Sequence, residues 1–171
     1  MGVLDGWRVC PRCGAELELG PGRAHCPACR STYYAGSAPA VEGLVAREGK
    51  VLLVRRGIEP RRGHWDLPGG FLEEGEEPLA GLRRELREET GLEAEPVELL
   101  GTHVEPYDDH FVLGLTWRVE AAGEPEPADD VAELAWFGPE ELPAEMAFAH
   151  QRGLLAAWAA RERRAPGARS A

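Results

Sequence analysis

All four cysteines of this 171-residue chain stand close together, as Cys10-Pro-Arg-Cys13 and Cys26-Pro-Ala-Cys29, two pairs of identical spacing with twelve residues between them. No other feature constrains the fold as strongly. Each Cys-x-x-Cys turn presents two thiols to one point, and two such turns brought together complete the tetrahedral sulfur set that Zn²⁺ prefers. Between and around the pairs the segment is rich in Gly and Pro and has no apolar periodicity long enough for a helix or a buried strand, so it cannot fold around a core of its own. Disulfides are the alternative, disfavoured in a reducing compartment, and a thioredoxin-like redox pair would need one motif on a βαβ unit. A closed four-thiolate shell leaves no position for water, so the implied zinc is structural. Gly14 after the first pair permits a positive φ, whereas Arg30 stands in the equivalent place after the second. His25, beside Cys26, is read as a bystander because four thiolates already fill the shell.

The rest of the chain reads as one α/β domain of ordinary size. Val41–Arg47, a turn at Gly49-Lys50 and Val51–Arg55 form a hairpin pattern. Pro78 suits a first helical position and Gly91 the residue beyond a last turn, which predicts a helix over 78–90, with Gly81 a poor helix former inside it. Strand-like runs follow at 97–104, 111–119 and 131–137, and a closing helix at 147–163 carries Leu154 and Trp158 on one face. A mixed sheet is implied. Domain limits are expected at 1–35, 36–164 and a frayed 165–171 tail.

Charge narrows the partners. The formal net charge is −11, and residues 1–35 contribute four arginines against three acids, so the acidic excess belongs to the second segment. That discourages non-specific binding to nucleic acid, and an anionic substrate would need metal ions to approach. The start of the chain has no basic and apolar leader pattern and no stretch reaches membrane-spanning length, so a cytoplasmic location is expected.

The densest chemistry lies between Gly70 and Leu92. Glu85, Glu88 and Glu89 stand at i, i+3 and i+4, which on a helix gathers three carboxylates on one side. Oxygen clusters of this kind suit Mg²⁺ or Mn²⁺. Arg84 lies four residues before Glu88, but one guanidinium cannot balance three carboxylates. A plain solvated acidic face is the alternative. Against it, the predicted apolar stripe is Leu79, Leu82 and Leu86, and at about 100° per residue Glu89 and Glu85 adjoin that stripe.

Gly70–Leu92 matches Gly-x5-Glu-x7-Arg-Glu-U-x-Glu-Glu-x-Gly-U at every defined position, where U is a bulky apolar residue, and through it the chain from about 38 to 163 resembles the Nudix hydrolase family. Members with an N-terminal zinc ribbon are familiar. The resemblance implies an α/β/α sandwich, with the signature as loop, helix and loop, and cleavage of a diphosphate linkage in a nucleoside diphosphate derivative by metal-activated water. It implies that Glu85, Glu88 and Glu89 hold the divalent ions with the backbone carbonyl of Gly69. Arg84 and Glu76 would pair to orient the carboxylates, and Gly70 and Gly91 would serve the loops. The water's proton goes to a carboxylate of the signature or of a later loop; Glu133 looks like such an outlying position, with Glu88 and Glu85 as rivals.

Outside the signature the sequence says less. Trp65, Tyr107 and Phe148 are candidates for stacking on a base or flavin ring, and Trp65 reads equally as a core or edge aromatic. The ribbon is similar to that of NADH pyrophosphatases, but 93–110 has nothing like their Ser-Gln-Pro-Trp-Pro-Phe-Pro stretch. Pro106 lies near a proline of ADP-ribose pyrophosphatases, and Tyr107 near a tyrosine of dinucleoside polyphosphate hydrolases. ADP-ribose, FAD or NADH therefore ranks first as substrate, and a house-cleaning nucleoside triphosphate second. A nucleotide-sensing regulator is the reading from another class, and a homodimer is left open.

Overall fold

The computed structural model describes residues 3–164, so the expected 165–171 tail lies outside the described residues. The chain divides into two compact units, Met1–Ala38 with Val104–Leu113, and Pro39–His103 with Gly114–Ala171. In the first, three strands of three residues, β1 (Glu18–Gly20), β2 (Arg23–His25) and β3 (Thr32–Tyr34), pair antiparallel in that order. The cysteine segment thus has more regular structure than its lack of periodicity suggests, because three-residue strands are too short to leave a pattern. Its small buried cluster consists of Leu4, Leu17, Ala24, Cys10 and Cys26, with Trp7 and Tyr33 against it.

The chain continues with β4 (Ala38–Arg47), β5 (Lys50–Arg56), β6 (Trp65–Asp66), β7 (Gly69–Phe71), helix α1 (Pro78–Thr90), β8 (Glu93–Tyr107), β9 (His110–Ala122), β10 (Val131–Phe137) and helix α2 (Ala149–Arg164), and the second unit takes all of these except Ala38 and the 104–113 stretch of β8 and β9. Its sheet runs β10-β5-β4-β9-β8, with β7 paired to β4 and β6 to β5. The hairpin turn is Glu48-Gly49, both at positive φ, one residue earlier than expected, and Lys50 already belongs to β5. Strand β8 extends several residues beyond its apolar run on both sides, whereas β9 starts one residue earlier than its run and extends past its end.

The period-2 alternation of the central strands explains the layering. Val41, Val45 and Leu52 pack with Leu82, Leu86 and Leu92 of the α1 side, while Leu44, Val51 and Leu53 pack with Leu155, Trp158 and Ala159 of α2. One helix therefore covers each face, an α/β/α sandwich with a mixed sheet. Leu82 and Leu86 are fully buried, worth about 1.5–3 kcal/mol each. Leu79 corrects the expected stripe: it lies exposed at the helix start. On α2 the buried stripe is Gln151, Leu155, Trp158 and Ala159, and Leu154 is only at its margin. Among the described residues, no helix is long and apolar enough to cross a membrane.

Candidate active site and metal centres

Helix α1 begins with Pro78 and ends at Gly91, whose left-handed φ of 70° lets its N–H bond the carbonyl of Arg87. Its inner side is fixed by the strand β7 turn. Gly70 lies so close to Glu85 that a Cβ there would come within 2.6 Å of the carboxyl carbon, and a Cβ on Gly81 would overlap Leu72 and crowd Glu76. Gly81 is thus a packing requirement of the loop before the helix, which the helix-propensity argument could not register.

Arg84 is the hub. Its Nε and Nη2 donate to Glu76 Oε1 and Oε2, both at 2.8 Å, its Nη1 to Glu85 Oε1 at 2.7 Å and Glu88 Oε2 at 3.0 Å, and Nη2 also to the Phe71 carbonyl at 3.0 Å. The bidentate pair draws Glu76 down to about 2 and raises the proton affinity of Arg84. Burial pushes Glu85 up against the pull of Arg84. Glu89 is 7% exposed and lies beyond the reach of this guanidinium. Its Oε2 accepts the Gly69 N–H at 2.8 Å. Burial pushes it well above the carboxylate range against that bond, and the charges of Asp66, Asp130 and Glu85 add to the effect. A buried carboxylate with acidic neighbours and no ion pair among the described residues is the arrangement a divalent cation relieves. The three helix carboxylates share a face but are not drawn within 4.8 Å of one another; Arg84 holds Glu85 and Glu88 instead.

The other expected residues fall in different settings. Glu133 is half-exposed on β10 opposite Arg55 of β5, with Arg55 Nη1 3.2 Å from its Oε2. Trp65 meets Phe137 edge-on, with centroids 4.8 Å apart, at the margin of the α2-side core. Tyr107 belongs to the 104–113 segment of the first unit and lies against His110. Phe148 sits beneath two cations, Arg61 at 4.3 Å and Arg56 at 5.7 Å from its ring centroid.

Sequence reasoning missed a buried polar network in the same unit. Glu42 accepts from Thr116 Oγ1, from Gln151 Nε2 at 2.8 Å, and lies 2.7 Å from His150 Nε2. Burial raises Glu42, but His150, Thr116 and Gln151 outweigh it and hold it below the ordinary range. Gln151 also donates to Asp66, which pairs with Arg56 at 3.0 Å. Burial nonetheless lifts Asp66 to about 6. The signals existed, an acid at a core-facing place in β4 and a glutamine at a core-facing place in α2, but both required the faces to be known.

In the first unit no disulfide joins the four cysteines, whose sulfurs all lie within 4.8 Å, Cys10 to Cys29 at 3.6 Å and Cys13 to Cys26 at 3.5 Å. A sulfur tetrahedron around an ion at about 2.3 Å has edges of about 3.8 Å, so the set fits one zinc. The two turns are equivalent: Gly14 N–H bonds the Cys10 carbonyl and Arg30 N–H the Cys26 carbonyl, each at 2.8 Å, and Arg30 adopts φ 61° like Gly14 at 74°. The Tyr33 hydroxyl at 3.4 Å draws Cys10 down to about 6. The Ala15 amide pulls Cys13 down, but Cys26, burial, Cys29 and Cys10 outweigh it and push Cys13 up to about 12. His25 is turned to Thr32, 3.0 Å away.

With these geometries in hand, the relatives are informative. The NUDIX domain profile matches residues 36–158. An ADP-ribose pyrophosphatase of Methanocaldococcus jannaschii is 35% identical over 122 residues, 70% of this chain and 72% of that one. The NAD-capped RNA hydrolase NudC of Stutzerimonas stutzeri is 31% identical over 144 residues, 80% of this chain but 50% of its own, so the chain spans about half the length of that relative. Among solved structures, a NUDIX hydrolase from Nitrosomonas europaea superposes with a TM-score of 0.78 at 30% identity, covering 92% of this chain and 93% of the other.

Proposed function

The chain belongs to the NUDIX domain family of enzymes acting on pyrophosphate bonds, and from that premise we propose that it cleaves the diphosphate of a dinucleotide-type substrate such as ADP-ribose, NADH or FAD, in the cytoplasm. The observation that carries this reading is the Arg84 hub, which holds Glu76, Glu85 and Glu88 on one side of α1 while the buried Glu89 has no basic side chain paired with it among the described residues. Residues 36–164 form the hydrolase domain and 1–35 the zinc ribbon. Glu85, Glu88 and Glu89, with the backbone carbonyl of Gly69, would hold Mg²⁺ or Mn²⁺, and the four cysteines Zn²⁺. When bound, the divalent ion supplies positive charge against the diphosphate oxygens and acidifies the attacking water.

The residues of the chain do the rest. Arg84 orients the carboxylates through its bidentate grip on Glu76. Glu85, pushed up by burial, is the better placed proton acceptor, and Glu133 is its rival across from Arg55. Phe148, flanked by Arg56 and Arg61, is the aromatic best placed for a base, since Trp65 is spent on packing against Phe137. The relatives support the substrate class, because an ADP-ribose pyrophosphatase and an NAD-capped RNA hydrolase both act on molecules that contain ADP-ribose.

A hydrolysis screen of nucleotide diphosphate derivatives with Mg²⁺ tests this. Two phosphate-bearing products from ADP-ribose, AMP and ribose 5-phosphate, are expected. Inorganic phosphate alone, or turnover confined to nucleoside triphosphates, would contradict it. In the same assay Glu133→Gln lowering kcat more than it raises KM would move the proton acceptor to Glu133, and unchanged kcat leaves that role with the helix glutamates.

A further inference from the structure

We propose that Glu42, His103 and His150 form a further metal site, for a divalent first-row transition ion such as Zn²⁺, separate from the α1 carboxylates and from the four thiolates. One ligand atom from each of the three residues lies within 4.8 Å of the other two. They come from β4, β8 and α2, so it is the fold that brings them together. The donor set is two imidazoles and a carboxylate, which suits Zn²⁺ and its neighbours in the first row and is a poor set for Mg²⁺, which favours oxygen.

The surroundings are those of a supported ligand set. Thr116 and Gln151 bond the two oxygens of Glu42 and fix its carboxylate, the outer bonding that tunes a metal ligand. Opposite His103, β9 carries Gly114, and a Cβ there would overlap the imidazole ring, so the sequence leaves that place clear. His150 Nε2 and Glu42 Oε1 meet at 2.7 Å, a hydrogen-bond distance that one proton bridges. A metal ion replaces that proton, as ligand nitrogens must give theirs up on binding. The His103 and His150 rings are stacked, with centroids 3.3 Å apart and 16° between planes, so one ring would turn out of the stack to close on the ion. Three protein ligands leave at least one coordination position open, unlike the closed cysteine set. Gln151 ties this cluster to Asp66, whose charge is felt by Glu89, so occupancy would alter the field at the α1 carboxylates.

The test is Zn²⁺ uptake by the full chain in excess Mg²⁺, which fills the oxygen site, measured by equilibrium dialysis and elemental analysis. Wild type should bind about one Zn²⁺ beyond that retained by the four-thiolate set. His103→Ala and His150→Ala should each weaken this extra binding by about 10-fold or more, while the cysteine-bound zinc stays. Because His103 is only half-buried, far-UV circular dichroism of that variant should match wild type. Cobalt(II) added in place of zinc should enter without new sulfur-to-metal charge-transfer bands. Extra uptake that neither variant reduces, new sulfur bands, or no uptake beyond the cysteines at pH 7.5 would overturn the proposal.

Discussion

The cysteine segment and helix α1 both press several acidic side chains together, and they differ in what stands behind the cluster. Behind the thiols there is little core: among the described residues of the segment, Leu4, Leu17 and Ala24 are the buried ones other than two of the cysteines themselves. Behind the carboxylates stand Leu82 and Leu86, locked into a sheet core that does not depend on them. On the proposed reading an ion takes the place of a core in the first region, and in the second a core would hold the metal ligands in place at a cost in repulsion, which Arg84 offsets for Glu85 and Glu88 but not for Glu89. Removing a ligand should therefore unfold one region and silence the other.

The largest effect belongs to the carboxylates. Glu88→Gln or Glu89→Gln should lower kcat by ~10²-fold or more, with the thermal midpoint kept or raised. For Glu89→Gln the comparison sharpens with pH. A carboxyl whose pKa is raised by folding stabilises the fold while protonated, and that contribution is lost as pH rises through the folded-state value. Burial raises Glu89 in this way, so the metal-free variant should exceed metal-free wild type in thermal midpoint by a margin that grows as pH rises from 4 towards 8. A margin that shrinks with pH would contradict the buried, uncompensated charge.

Cys13→Ser should do the reverse. Zinc should be lost and the ribbon should be cut readily in limited proteolysis, because a segment of this size does not fold without its ion. At least part of the hydrolysis should remain. A smaller effect separates packing from propensity: Gly81→Ala gains about 1 kcal/mol of helix propensity but should destabilise by about 1–3 kcal/mol through the overlap with Leu72 and Glu76, a loss read in urea unfolding.

Much of this was legible in the sequence because spacing carries it. Two Cys-x-x-Cys pairs and carboxylates at i, i+3 and i+4 are local patterns, and helix α1 runs Pro78–Thr90 as its cap residues predict. What stayed hidden depends on contacts distant in sequence. Gln151 and Glu42 occupy core-facing positions and meet only once α2 covers the sheet. Gly81 looked like a weak helix residue because its reason, the side chain of Leu72, lies in a loop. Leu79 fits the apolar period yet lies exposed, since the first turn of α1 projects past the sheet-facing stripe. Arg30, at positive φ without being glycine, shows that the second cysteine turn keeps the geometry of the first although its sequence does not say so.

The contrast between the two regions is tested most directly by dialysing the wild type against EDTA and following zinc content and ADP-ribose hydrolysis together. About one zinc per chain should be retained, as a closed four-thiolate site implies, while hydrolysis is abolished and returns when Mg²⁺ is added back. Zinc and activity leaving together and returning only with zinc, or hydrolysis undiminished after EDTA, would contradict the separation of a structural thiolate site from a catalytic carboxylate site.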